Sequence, residues 1–524
     1  MLSDLKLTKK DHSLLIILII FSSVLTAHSI IFNQNFGTYC SDVYIYLLNA
    51  LYFTGTNIKS MQTIYLSPII CFLTSILFRL GLQDRLAILI ITGIFSIIGN
   101  IGLYLLLRIR FDELLSLCGV IVYATFAINL TWLANGTLDI PATSIIIWTV
   151  LTSMLAMKYN PKYYQIALPL FVLGVFTRYT VILIFPVLVL CYLYENGFKL
   201  EKNSQKYLLK GIILGALTTA IILIPIFSMS NGYFGVSGQI SGGISGSKGS
   251  ASDLSYNTNP YYYLVNFINF ISSSKVSFFN RNPVLENPTI NSIIVAAILG
   301  VGGLLFLADG KLKFKRDMIL PAALLIIAIL TFNRISSFVT IILVFAGLLL
   351  LGKDSENKTG LMMLSWILVN LIFFSYYNIK VNRYIIPAIP PLIYLLLGSI
   401  ELIHEKVEIN TNIIPIILIA LFLIQGFAFY STFEDTNEFT APNAISDYII
   451  NEIPDYAGQT IGVYNTRIYN WYLGKNITGI ESDNSAKIES ANISYYISDL
   501  PQNNLTSFKE IKHIDNLYLY KKGV

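Results

Sequence analysis

NIKVNRYIIPAIPPLIYLLLGSIEL, residues 378–402, sets Lys380 and Arg383 at the head of an apolar run of membrane-spanning length. Proline is tolerated in such a run, because neighbouring helices can satisfy the backbone groups it frees. The stretch therefore reads as a transmembrane helix entered past two cations.

Comparable runs recur from Leu14 to Tyr430. The chain has 524 residues, 55% hydrophobic and only 12% charged. Soluble domains carry about a quarter charged residues. The expected fold class is an all-α polytopic membrane protein with a small C-terminal α/β domain outside the membrane. The net charge of +5 is no nucleic-acid signal, because the basic residues sit in short loops between apolar runs. Four cysteines and four histidines lie too scattered for a disulfide framework or a zinc site.

Lys6, Lys9 and Lys10 precede the first run, so the N-terminus is expected to be cytoplasmic. Thirteen crossings follow, at 13–32, 86–107, 114–133, 140–157, 164–176, 180–193, 207–227, 290–307, 318–332, 335–351, 361–376, 384–402 and 413–430. Segment 65–80 is short and contains Pro68; counting it as a crossing would put Arg108 outside, so it is read as a juxtamembrane or re-entrant helix. The expected division is a membrane domain, 1–431, with outer loops 33–85 and 228–288, and an extracytoplasmic domain, 432–524. In the latter a helix is expected at 444–452 after a Pro442-Asn443 cap, with strands at 459–464, 492–498 and 516–520. The Gly- and Ser-rich stretch 231–253 reads as a lid, beside an interfacial helix in the aromatic run 261–270.

Two acids stand at the outer edge. Asp42 heads a helix in SDVYIYLLNALYFTG, residues 41–55, and Asp139 precedes a span in NGTLDIP, residues 135–141. Either could be a helix cap. Arg178 in FTRYT, Lys380, Arg383 and Arg334 also face outward, against the usual charge bias. Each could anchor a lipid headgroup by snorkelling. Together, however, acids and cations at one membrane face suit transfer of a phosphate-linked sugar. A carboxylate deprotonates the acceptor hydroxyl, and cations hold the departing phosphate.

On these motifs the sequence resembles the GT-C superfamily of membrane glycosyltransferases, in the branch of the protein O-mannosyltransferases and the lipid A aminoarabinose transferases. SDVYIYLLNALYFTG resembles the family's first acidic motif, and YLSPIICFLTSILFRLG from Tyr65 the segment after it. Leu138-Asp139-Ile140-Pro141 resembles the second acidic motif. GVFTRYT from Gly174 resembles a segment in which Lys is usual at the place of Arg178, and NRYIIPAIPPL from Asn382 resembles the family's RYLLP-type signature. The resemblance implies an inverting transfer from a polyprenyl- or dolichyl-phosphate sugar on the outer face. It implies Asp42 as the catalytic acid-base residue, Asp139 as its support, and Arg383, Lys380 and Arg178 as ligands of the donor phosphate. Many members have Asp-Glu at the first motif, whereas Val43 follows Asp42 here, so no cofactor or metal is expected.

The expected partners are a lipid-linked sugar donor, an acceptor that is protein, lipid or glycan, and membrane lipids. A transporter or flippase of lipid-linked glycan is the alternative from another class. It should show paired repeats and broken helices at mid-membrane, and no repeat is evident. An O-antigen polymerase or ligase would share outer arginines, but not the NRYIIPAIPPL stretch. Asn476, Asn492 and Asn504 each open an Asn-X-Ser/Thr pattern in the outer domain.

Overall fold

The computed structural model describes residues 5, 7–56, 67–197, 202–229, 259–308, 318–352, 357–377, 379–407, 410 and 412–523. The proposed lid, 231–253, lies outside the described residues.

Within lipid a backbone must satisfy its own polar groups, so apolar runs become helices. Nine helices among the described residues are long and apolar enough to cross a membrane, and each coincides with one of the thirteen expected crossings. At the other four expected positions lie helices shorter than a full span: Glu113–Thr125, Tyr164–Thr177, Ile319–Leu330 and Ser337–Gly352. Burial sorts centre from rim. Asp139–Lys158 is 89% buried inside the protein, whereas Lys202–Phe227 is 17% buried and turns its Ile and Leu side chains outward. Asp139 therefore heads the most enclosed span.

One crossing departs from expectation. Segment 114–133 is not one helix but two, Glu113–Thr125 and Ala127–Trp132, broken at Phe126, which is extended in ψ. The Asn129 side-chain amide donates to the Tyr123 carbonyl at 2.6 Å and caps the broken end. Apolar composition on both sides of the break hides it from hydropathy.

The two ends of the bundle differ. At one end Arg108 Nε and the Tyr104 hydroxyl donate to Asp11 Oδ1 at 2.6 and 2.7 Å. At that same end Arg110 pairs with Glu401 at 3.2 Å. At the other end helix Asp42–Phe53 lies beside helix Pro68–Arg79, whose Arg79 donates to the Phe53 carbonyl at 2.6 Å. Segment 65–80 thus contributes a 12-residue helix packed on the loop helix that carries Asp42.

The same end bears two sheets. Strands β1 (Ser273–Phe279) and β2 (Asn282–Pro288) form an antiparallel hairpin that turns through Asn280 and Arg281, both at positive φ. The aromatic run before it makes two short helices, Tyr262–Val265 and Phe267–Ile271, in place of one. In the C-terminal domain, β3 (Ile461–Val463), β4 (Thr478–Gly479), β5 (Tyr495–Ser498), β6 (Phe508–Ile514) and β7 (Leu517–Lys522) form a mixed sheet in the order β4-β3-β5-β7-β6. Helix Ala441–Glu452 begins earlier than expected, because Pro442 sits in its first turn, where a missing N–H costs nothing. The hairpin ties this domain down: Glu434 N donates to the Val276 carbonyl at 2.8 Å, and the rings of Phe278 and Phe439 meet edge to face at 4.7 Å.

Candidate active site

Asp42 is the first residue of its helix, and Ser41 before it makes no side-chain cap. Among the described residues the Asp42 carboxylate caps no backbone N–H and reaches instead to two arginines. Arg383 Nη2 donates to its Oδ2 at 2.6 Å, and Arg467 Nη1 lies 3.8 Å from its Oδ1. Burial would raise the pKa of this carboxyl, but the Arg383 guanidinium outweighs burial, with help from Arg467 and Arg178, and holds it below the usual carboxylate range. The group is an anion at neutral pH.

Asp139 also opens its helix without capping it. Its side chain is 1% exposed and ion-pairs through Oδ1 with Arg178 Nη1. Its Oδ2 lies 3.9 Å from Arg383 Nη1 and, among the described residues, accepts no hydrogen bond. The turn before it passes through positive φ at Ala134 and Gly136. The Gly136 position faces Val43, whose Cγ1 would lie 2.9 Å from any Cβ there. Glycine therefore lets the Asp139 turn settle against the Asp42 helix. Asn33 secures the same turn by donating to the carbonyls of Leu133 and Ala134 at 3.0 and 3.2 Å.

The arginines are clamped from behind. Arg383 lies in a 3-10 segment, Asn382–Ala388, ahead of helix Ile389–Val407. Its guanidinium stands 5.5 Å from the Trp132 ring and 5.8 Å from the Tyr384 ring, and Nη1 donates to Cys40 Sγ at 3.1 Å. Neighbouring Asn382 accepts from Trp132 Nε1 at 3.0 Å and donates to the Pro283 carbonyl at 2.7 Å, which fixes the segment against the hairpin. Arg178 is a single extended residue between helix Tyr164–Thr177 and the 3-10 segment Tyr179–Ile184. It lies over the Tyr384 ring at 5.1 Å, while its Nε donates to Thr180 Oγ1 at 3.1 Å. Aromatic faces and ion pairing make guanidinium the suitable cation at both places.

Four of the six acids and cations that the sequence sets at the outer edge, Asp42, Asp139, Arg178 and Arg383, thus meet in one charge cluster. Lys380 does not join it. Its ammonium donates to the Tyr377 carbonyl at 2.8 Å, and burial lowers its pKa. Arg334 is exposed at a separate turn. Arg467, from helix Thr466–Leu473 of the C-terminal domain, was not anticipated. Its sequence signal is weak, since a lone arginine in a short amphipathic helix usually faces water. Among the described residues, no group of three or more His, Cys, Asp or Glu is placed to hold a metal ion.

Fold and site together define a multi-pass membrane protein with a bundle of helices, an anion–cation cluster at one end, and a domain seated over that end. Residues 66–227 match the family model of dolichyl-phosphate-mannose-protein mannosyltransferases. By structure the chain is similar to ArnT from Cupriavidus metallidurans, both bound to undecaprenyl phosphate and in the apo state. The TM-score is 0.58 in each case, at 10% and 11% identity, over 96% of this chain and 97% of ArnT. It also matches the oligosaccharyltransferase AglB from Archaeoglobus fulgidus, in complex with an inhibitory peptide and a dolichol-phosphate, at TM-score 0.46 and 13% identity. That match covers 94% of this chain and 69% of AglB. No curated protein matches the chain in sequence. The chain has the ArnT-like fold, a helical membrane bundle with a small C-terminal sheet domain.

Proposed function

We propose that the protein is an inverting glycosyltransferase that moves a sugar from a polyprenyl- or dolichyl-phosphate donor to an acceptor hydroxyl at the outer membrane face. The observation that carries this reading is the meeting of Asp42 and Asp139 with Arg383 and Arg178 at one end of the bundle. ArnT was solved with undecaprenyl phosphate bound. The fold likeness to ArnT makes the same ligand class the natural choice here.

In this reading Asp42 is the general base. Its side chain is 32% exposed and its carboxylate is ionised, whereas Asp139 is enclosed. The acceptor hydroxyl passes its proton to Asp42 while its oxygen attacks the anomeric carbon. The bond from that carbon to the phosphate oxygen breaks, and the lipid phosphate leaves with the electron pair. Attack opposite the leaving group inverts the anomeric centre. Arg383 and Arg178 receive the phosphate, where charge-assisted bonds are strongest. Asp139 holds Arg178 and faces Arg383, and so sets the spacing of the two cations. Lys380 supplies a third cation for the phosphate only after leaving the Tyr377 carbonyl. The basic N-terminus, and Arg108 and Arg110 at the opposite end, support the outer orientation. The acceptor is a protein, lipid or glycan hydroxyl.

The test uses purified protein in detergent, a series of polyprenyl-phosphate sugars, and mass detection of products. Release of free polyprenyl phosphate with a mass gain on the acceptor supports transfer. Recovery of intact donor from every mixture, with donor moved across vesicles containing the protein, would make it a transporter.

A further inference from the structure

Arg467 is the one member of the charge cluster that comes from the C-terminal domain. Its backbone is well fixed: Ile468 and Tyr469 beside it are fully buried, the Tyr472 hydroxyl meets the Tyr44 hydroxyl at 3.1 Å, and Trp471 stacks on Phe78 at 5.9 Å. Its guanidinium is not fixed. The side chain is 53% exposed, against 11% for Arg383 and 15% for Arg178, and it stands 3.8 Å from Asp42, beyond hydrogen-bond reach. Charge counting separates it further. The two carboxylates, Asp42 and Asp139, balance the two enclosed guanidiniums, Arg178 and Arg383, and arginine does not lose its proton in proteins. Without Arg467 the cluster is neutral and offers an anion no net attraction. With it, the cluster carries a surplus of one positive charge. A sugar phosphodiester carries one negative charge.

We propose that Arg467 is a donor-phosphate ligand supplied by the C-terminal domain. It pairs with Asp42 Oδ1 in this structure and turns to the phosphodiester when the donor arrives, leaving that carboxylate oxygen to the acceptor hydroxyl. This rests on the glycosyl-transfer reading and adds to it a cation from outside the membrane domain. The same movement frees the base for the acceptor once the donor is seated.

The experiment measures binding of undecaprenyl phosphate to the full-length protein in detergent, with undecaprenol as the uncharged control. It compares wild type with Arg467→Gln, Arg467→Lys, Tyr472→Phe and Arg383→Gln, and follows each variant by thermal melting. Arg467→Gln should weaken binding of the phosphate on the order of tenfold, the loss of one charged contact, with undecaprenol unaffected. Arg467→Lys should recover part of the affinity, and Tyr472→Phe, which disturbs the domain contact but not the charge, should bind as wild type. If Arg467→Gln binds as wild type while Arg383→Gln does not, the inference is overturned and the transfer reading stands. Equal losses in Arg467→Gln and Tyr472→Phe would also overturn it, since domain seating would then be the cause. If wild type neither binds the lipid phosphate nor transfers from any donor, the transfer reading itself fails.

Discussion

Arg383 Nη2 stands 2.6 Å from Asp42 Oδ2, which joins helix Asp42–Phe53 to the entrance of a span far along the chain. The pair brings the proposed base and the proposed phosphate ligand into direct contact. Its strength depends on enclosure: Arg383 is packed between Trp132 and Tyr384 and bonded to Cys40.

Replacing Arg383 by Lys keeps the charge but loses the planar fork that reaches Cys40 and Asp42 together. Arg383→Lys should lower kcat/KM by at least about tenfold, and Arg383→Gln by more, each loss representing a charge-assisted contact to the phosphate. Steady-state kinetics with a polyprenyl-phosphate sugar would check this. A Lys variant equal to wild type would leave the bidentate geometry without a role.

The depressed pKa of Asp42 has a sign that can be tested. A base held below the usual carboxylate range stays ionised as pH falls, so the acidic limb of kcat/KM should lie below that range. The groups facing the carboxylate are Arg383, Arg467 and Arg178 as cations, and burial opposes them. Arg467→Gln removes one cation and should move the limb to higher pH. The contribution of Asp42 to stability runs the same way: it is present above the unfolded carboxylate pKa and is lost as pH falls through the folded one.

Gly136 carries a conformational demand as well as a packing one. Its φ of +89° disfavours any side chain, and a Cβ would strike Val43. Gly136→Ala should destabilise by about 1–2 kcal/mol or more, combining backbone strain with crowding. It should also displace the Asp139 turn from the Asp42 helix, so activity should fall more than the melting temperature suggests. Thermal melts beside transfer rates would separate the two effects.

Asp11, at the far end, offers a contrast. It is fully buried and holds Arg108, Tyr104 and Thr8. Asp11→Asn should cost about 3 kcal/mol of stability, because it leaves the Arg108 guanidinium without its buried partner. The specific activity of the folded fraction should remain near wild type, measured after size-exclusion purification.

Much of the fold could be read from apolar run lengths, because each long run has only the helix available to it in lipid. Both acids could be read as well: each heads an apolar segment on the same side of the charge bias. The helix break at Phe126 could not, since residues on either side are equally apolar. The β1–β2 hairpin is not legible in the sequence, because the aromatic run before it signals only an interfacial helix. Lys380 illustrates a limit of proximity in sequence. It lies three residues from Arg383, yet the extended backbone at Val381 sends the two side chains to different partners. Arg467 was hidden for the opposite reason, because only tertiary docking of the C-terminal domain brings it to Asp42.

Asp42→Asn gives the most direct test. The amide keeps size and hydrogen-bonding reach but cannot take a proton from an acceptor hydroxyl. Purified wild type and variant, matched for folding by thermal melting, are given the same polyprenyl-phosphate sugar and acceptor, and products are followed by mass. The expected result is product of inverted anomeric configuration with wild type, and loss of at least about two orders of magnitude in rate with the variant. Undiminished transfer by Asp42→Asn would contradict the account.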